Sequence, residues 1–252
     1  MPKPTGTREN DALSNTQALY VLVADDDAAS RRFLVDALRA LGVRAIACAD
    51  GTEAIARAGE ESFDLLLLDC RMPGAGALEV LTALRADEGA QSSDAVAVAT
   101  TAELSPGNRK QLLAAGFSDI LLKPCQWNDL EGVLALAPPG LKRLPMLDDE
   151  AALTATGDSN TMRALRQLLQ DELLAVCGEL DHLATDNGAF RDRLHRLRSS
   201  CGFCGAKALS SQVTVLQRHL ALGRGHAAAP VARFRKVLIA TLEALNRPGA
   251  SA

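Results

Sequence analysis

The 252-residue sequence predicts an α/β doubly wound five-stranded parallel sheet followed by an all-α four-helix bundle. Three observations carry this expectation. Short, nearly continuous apolar runs alternate with amphipathic stretches through the first half of the chain. A proline-rich break, Pro138-Pro139-Gly140 with Pro145 close behind, ends that alternation. Beyond the break, apolar residues recur only at helical spacing.

Residues 1–16 are polar, contain Pro and Gly, show no periodicity and read as a disordered tail. Tyr20–Ala24, Val43–Ala47, Asp64–Leu68, Ala95–Ala99 and Ile120–Leu122 read as strands covered on both faces. The intervening stretches are amphipathic; the first carries Phe33, Leu34, Ala37, Leu38 and Leu41, with Gly42 closing it as a C-cap. Five strands alternating with helices define a parallel sheet over residues 17–137, whose sites lie at the carboxyl ends of the strands. Residues 138–146 are the linker, and 147–246 the bundle. Its four stripes are Met162, Leu165, Leu169, Leu173, Val176, Leu180 and Leu183; then Phe190, Leu194, Leu197, Cys201 and Cys204; then Leu209, Val213, Leu216 and Leu220; then Val231, Phe234, Leu238, Thr241 and Leu245. A short extra helix around Asp148–Leu153 precedes them, and residues 247–252 form a tail.

Composition narrows the function classes. Hydrophobic residues make up 48% of the chain, enough for a core in each half, while aromatics make up only 3%, which argues against stacking platforms for single-stranded nucleic acid. Residues 1–139 carry 12 basic and 20 acidic side chains, a balance of −8; residues 140–252 carry 15 and 11, a balance of +4. This favours two domains and an acidic partner for the second, without the basicity that DNA binding needs. No apolar run is long enough for membrane insertion, Met1-Pro2-Lys3-Pro4 does not read as a signal peptide, and the scattered cysteines read as reduced thiols of a cytoplasmic protein.

Chemistry-bearing residues cluster at the predicted strand ends. Asp25, Asp26 and Asp27 follow the first strand, Asp69 the third, Thr101 the fourth and Lys123 the fifth. Asp27 reads as the cap of the next helix. Clustered carboxylates favour a hard divalent cation such as Mg²⁺. An aspartate beside that cation can attack a phosphoryl donor, with the cation and a lysine neutralising charge on the transferring group. A threonine hydroxyl can then bond the new phosphoryl group.

These residues carry a resemblance. Residues from about 18 to 137 resemble a response-regulator receiver domain: Asp25-Asp26, then Asp69-Cys70-Arg71-Met72-Pro73, Thr101-Ala102 and Lys123-Pro124, in the family's order and spacing. The resemblance implies a flavodoxin-like sheet, Asp69 as phosphoacceptor, Mg²⁺ held by Asp25, Asp26, Asp69 and the backbone carbonyl of Arg71, and phosphoryl contacts from Thr101 and Lys123. Receivers catalyse their own phosphorylation, which sets them apart from metabolic enzymes. Two departures stand out: Ile120 occupies a position often aromatic in the family, and Gly74-Ala75-Gly76-Ala77 replaces the usual Met-Asp-Gly pattern. Arg71 and Glu103 stand where receivers flank the path of the hydrolytic water, and an ion pair between them would slow loss of the phosphoryl group.

On the second bundle helix His195 is rotated about 100° from Leu194, off the apolar stripe. Arg191, Arg198, Ser199 and Gly202 are its surface neighbours, small on one side and cationic on the other. A neutral imidazole is a competent nucleophile, and arginine favours a phosphoryl group beside it. His195-x-Leu197-Arg198-x-Ser200, followed by Gly205-Ala206, resembles the histidine-phosphotransfer (HPt) domain, with Arg198 for the family's usual lysine and Ser199 for its glycine. The resemblance implies that His195 is the phosphorylated residue. His182, His219 and His226 lack such surroundings and read as solvated, and Cys201 and Cys204 read as core rather than as a redox or zinc pair.

The whole sequence therefore reads as a two-component phosphorelay protein. Its partners would be a sensor histidine kinase or other receiver-domain proteins, with no nucleic acid. The alternatives are a receiver-regulated binding module whose bundle is not phosphorylated, and a thiol redox sensor using Cys201 and Cys204.

Overall fold

The computed structural model describes residues 18–137, 144–221 and 228–247. The sequence expectations for residues 1–16, 138–143, His226 and 248–252 lie outside the described residues. The chain divides into two compact units, Met1–Gly140 and Leu141–Ala252.

In the first unit, strands β1 (Tyr20–Ala24), β2 (Arg44–Cys48), β3 (Leu65–Asp69), β4 (Val96–Thr101) and β5 (Asp119–Leu122) form one sheet in the order β2-β1-β3-β4-β5. Every neighbouring pair is parallel. The helices between them are α1 (Ala28–Ala40), α2 (Gly51–Glu60), α3 (Ala77–Ala86), α4 (Pro106–Ala114) and α5 (Trp127–Leu134). Because strand side chains alternate, each central strand feeds two cores. Leu22, Leu66, Leu68, Ala97 and Ala99 pack with Ala54 and Ala58 of α2, Val80, Leu81 and Leu84 of α3 and Leu112 of α4. Val21, Val23, Leu65, Leu67, Val96 and Val98 pack with Leu34, Val35 and Leu38 of α1 and Leu130 and Val133 of α5. The strand order reverses between β1 and β3, which opens a crevice at their carboxyl ends.

Local chemistry sets the helix starts. The Asp27 carboxylate accepts from Ser30 N at 2.7 Å and caps α1. Asp50 caps α2 by accepting from Glu53 N at 2.8 Å. Gly42, with φ +77°, lies just past the α1 C-cap Leu41 and turns the chain into β2. One core expectation fails: Phe33 is 52% exposed, because α1 buries the face carrying Leu34, Val35, Ala37 and Leu38 and leaves position 33 beyond its edge.

In the second unit a short helix, α6 (Asp149–Thr156), precedes α7 (Ser159–Leu183), α8 (Asn187–Phe203), α9 (Lys207–Ala221) and α10 (Ala228–Leu245). The long helices pack as a ring: α8 against α7 and α9, and α10 against α7 and α9. All four stripes turn inward, with Phe190 and Phe234 meeting edge to face at 6.3 Å between centroids. His219 corrects the sequence reading. It is buried, since α9 buries a broad face that includes Gln212, Val215 and His219 as well as the expected stripe. His182 lies exposed in the last turn of α7.

Helix α6 is tied to the turn that ends α8. Asp148 N donates to Gly205 O at 2.9 Å, and Lys207 Nζ pairs with the Asp148 carboxylate at 2.6 Å. The buried Arg166 of α7 pairs with Asp149 at 2.7 Å and donates from Nε to Cys204 O at 3.3 Å. Gly205 adopts φ +69°, and a Cβ there would overlap the Asp148 carbonyl oxygen. Gly205→Ala is expected to destabilise the bundle by about 2–3 kcal/mol, the sum of left-handed strain and that overlap, as a lower denaturation midpoint in urea.

Candidate functional site

The pleat decides which strand-end side chains meet. Asp25 continues the phase of Val21 and Val23, Asp69 that of Leu65 and Leu67, and Lys123 that of Leu121, all on the side of α1 and α5. Lys123 accordingly reaches across from β5. Its Nζ lies 2.7 Å from Asp25 Oδ2 and 2.6 Å from Asp69 Oδ1. Asp25 is fully buried, and Asp69 nearly so. Burial disfavours the Lys123 ammonium, but hydrogen bonds to Asp25 and Asp69, together with their negative charge, outweigh it and hold the pKa above the ordinary lysine value.

The remaining hydrogen bonds at Asp25 and Asp69 are local in sequence except one, from Thr100, which crosses the ladder. Asp25 Oδ1 accepts from Asp27 N at 3.0 Å, Asp25 Oδ2 from Ser30 Oγ at 2.6 Å, and the Asp25 carbonyl from Arg31 at 2.5 Å. Asp69 Oδ2 accepts from Arg71 N at 3.3 Å, while Asp69 Oδ1 accepts from Thr100 Oγ1 at 3.3 Å. Asp26 is one residue beyond the strand phase and exposed. Even so, carboxylate oxygens of Asp25, Asp26 and Asp69 lie within 4.8 Å of one another, a set of hard oxygen donors suited to a divalent cation.

Thr101 has the opposite pleat phase from Asp69. Its hydroxyl donates to Glu103 O at 2.9 Å and accepts from Glu103 N at 3.3 Å, which folds the loop after β4. It lines a cleft of about 580 Å³ with Cys70, Arg71, Glu79, Glu103 and Asn108. Arg71 and Glu103 face that cleft together, but among the described residues no ion pair joins them, so the expected pairing is not formed in this state. The structure adds two residues that the sequence reading passed over, Ser30 and Thr100. Thr100 stands directly opposite Asp69 in the ladder.

Gly51, at the start of α2, lets the loop after β3 approach closely: an added Cβ would overlap the Ala75 carbonyl. Gly74 and Gly76 lie in that same loop, and Gly76 is the N-cap of α3, which has no side-chain cap.

In the second unit His195 is exposed on α8 between the buried Leu194 and Leu197. Arg191, Arg198, Ser199 and Gly202 are exposed as well, and a Cβ at Gly202 would meet nothing within 4 Å. The ring is open to an approaching surface. Cys201 and Cys204, by contrast, are buried free thiols. Burial pushes the Cys204 thiol up to about 11 and raises Cys201 as well, with the neighbouring Cys204 adding to the shift.

Comparison with known proteins assigns the first part of the chain to a family. Residues 21–135 match the sequence model of the response regulator receiver domain, and this part of the chain is a receiver domain. Signal transduction histidine-protein kinase BarA of Shigella flexneri is 28% identical over 228 residues, covering 82% of this chain and 24% of its own length. Sensor histidine kinase AruS of Pseudomonas aeruginosa is 30% identical over 224 residues, covering 83% of this chain and 22% of its own. The chain thus spans about a quarter of the curated relatives it matches, and the matched share exceeds what the first unit alone can supply. Among solved structures, the receiver domain of a Pseudomonas aeruginosa sensor histidine kinase, with a magnesium ion coordinated in its active site cleft, is 30% identical over 46% of this chain and 94% of that one, at a TM-score of 0.43. The helical second unit is consistent with a histidine-phosphotransfer domain.

A thiol with a pKa of about 11 is only about one-thousandth ionised at pH 8. Cys201 and Cys204 are therefore expected to react with a thiol reagent at pH 8 at least about tenfold more slowly in the folded protein than in denaturant, as timed labelling with mass spectrometry would show.

Proposed function

We propose that this chain is a two-domain phosphorelay component: a receiver over residues 17–137, a linker over 138–146 and an HPt bundle over 147–246. The observation that carries this reading is the Lys123 ammonium held between the buried carboxylates of Asp25 and Asp69, at the carboxyl ends of three strands. That arrangement presents one aspartate oxygen to a phosphoryl donor beside a fixed cation.

In this reading Asp69 attacks the phosphorus of a partner's phosphohistidine. A P–O bond to Asp69 forms, the P–N bond breaks, and the electron pair stays on the departing imidazole. Lys123 and Thr101 contact the transferred group. Asp25, Asp26, Asp69 and the Arg71 carbonyl would hold Mg²⁺, supported by the three converging carboxylates, and the ion supplies neutralisation of the phosphoryl charge. His195 then takes a phosphoryl group from a receiver aspartate or returns one to it, with Arg198 beside it to attract the anion. Its partners are sensor histidine kinases and other receivers, met in the cytoplasm, where free thiols such as those of Cys48, Cys201 and Cys204 stay reduced. Receiver surfaces of the acidic kind seen here suit the positive balance of the bundle.

Labelling with acetyl phosphate and Mg²⁺ tests the assignment. The wild type is expected to carry both hydroxylamine-labile phosphate on Asp69 and alkali-stable phosphate on His195. Asp69→Asn should lose both, and His195→Gln only the second. Mixing the two variants should restore histidine-linked phosphate if transfer runs between chains. Failure of any phosphorylated receiver to label His195 would leave the bundle as a binding module.

A further inference from the structure

Two hydroxyls flank the Lys123 bridge, one on each carboxylate. Ser30 Oγ donates to Asp25 Oδ2 at 2.6 Å, and Thr100 Oγ1 donates to Asp69 Oδ1 at 3.3 Å. These are the same two oxygens that Lys123 holds, at 2.7 and 2.6 Å. Ser30, Thr100 and Lys123 line one groove, together with Leu34, Leu121 and Pro124.

Thr100 is out of place on packing grounds alone. It is 1% exposed and follows Val96 and Val98 along the face of β4 that packs against α1 and α5. Valine would fill the same volume without a polar atom to satisfy, and a buried hydroxyl is unfavourable unless bonded. Its register partner across the ladder is Asp69, and among the described residues Asp69 Oδ1 is the acceptor of its hydroxyl.

The distribution of donors on Asp69 is unequal. Oδ1 receives an ammonium and a hydroxyl, whereas Oδ2 receives one backbone N–H at 3.3 Å. When a phosphoryl group arrives, Lys123 must turn toward its oxygens. Asp25 Oδ2 and Asp69 Oδ1 then lose the Lys123 ammonium at the moment when Asp69 must stay aimed.

We propose that Thr100 and Ser30 are positioning residues that keep hold of Asp69 Oδ1 and Asp25 Oδ2 while Lys123 turns to the phosphoryl group, leaving Asp69 Oδ2 as the attacking atom. This rests on the phosphoacceptor reading of Asp69. With acetyl phosphate as donor, Oδ2 forms the new P–O bond, the bond from phosphorus to the acetyl oxygen breaks, and acetate departs with its electron pair. The hydroxyls transfer no proton; they fix the angle of the carboxylate and replace part of the lost stabilisation.

The test measures the rate of hydroxylamine-labile phosphate formation on the full chain across acetyl phosphate concentrations, with Mg²⁺, and thermal melting of each variant as a folding check. For Thr100→Val the maximal rate is expected to fall roughly tenfold, with the half-saturating donor concentration within about twofold of wild type. Thr100→Ser should recover most of the rate, because it restores the hydroxyl but not the methyl. Ser30→Ala, at a partly exposed position, should lower the maximal rate roughly threefold. If Thr100→Val and Ser30→Ala both label at the wild-type maximal rate, the inference is overturned while Asp69 stands as phosphoacceptor. If Thr100→Ser is as slow as Thr100→Val, the residue acts through packing and the inference again fails. A wild type that forms no phosphate dependent on Asp69 removes both readings.

Discussion

The ammonium of Lys123 lies between two carboxylates that belong to two other strands, and the first unit depends on that bridge being possible. Asp25, Asp69 and Lys123 can meet only if β1, β3 and β5 end at one level and in one pleat phase. The register supplies this: Leu22 pairs with Leu66, Leu66 with Ala97, and Ala99 with Ile120, so the apolar alternation of four strands stays aligned across the sheet. A one-residue slip in any of them would turn its strand-end group to the opposite face, and the core-facing Leu and Val side chains with it. Packing of the two cores and assembly of the site are thus one condition. Burial of Asp25 and Asp69 without Lys123 would leave uncompensated charge in a water-poor crevice.

Within that frame, each acidic residue differs in kind. Asp25 is locked by Lys123, Ser30 and the Asp27 amide. Asp26 stands outside in solvent yet close enough to share a cation with the other two. Asp27 is spent on the helix cap. Three adjacent aspartates therefore do three jobs, separated by the change from strand to helix at one turn. The same parity sends Thr101 to the opposite side from Asp69, where its hydroxyl holds the loop that lines the neighbouring cleft.

The second unit follows another logic. Its candidate residue is placed by helical period rather than by pleat: His195 falls between Leu194 and Leu197, which face the core, and so faces out. Nothing needs to be brought from a distant strand. What the fold adds is a set of polar ties at the end of α8, where Arg166, Gly205 and Lys207 bind α6 to the turn. The buried thiols of Cys201 and Cys204 contribute volume to that end of the core.

Much of this was legible in residue order. Alternation of apolar runs and amphipathic stretches marks a parallel sheet, and a doubly wound sheet collects its strand-end residues, Asp25, Asp69 and Lys123 among them, at one edge. The outward face of His195 follows from a 3.6-residue period. Four things were not legible. Ser30 reads as an ordinary helix residue until α1 is seen to bring its hydroxyl onto Asp25. Thr100 reads as a strand residue beside the more informative Thr101 until register sets it against Asp69. His219 reads as surface until α9 is packed on both neighbours, and Phe33 reads as core until α1 is rotated against the sheet. The sequence by itself determined which elements form and which side chains their periods align, because those are local properties of the backbone. Only the tertiary structure decided which partner each polar group meets, because register and helix rotation are set by the packing of many side chains at once.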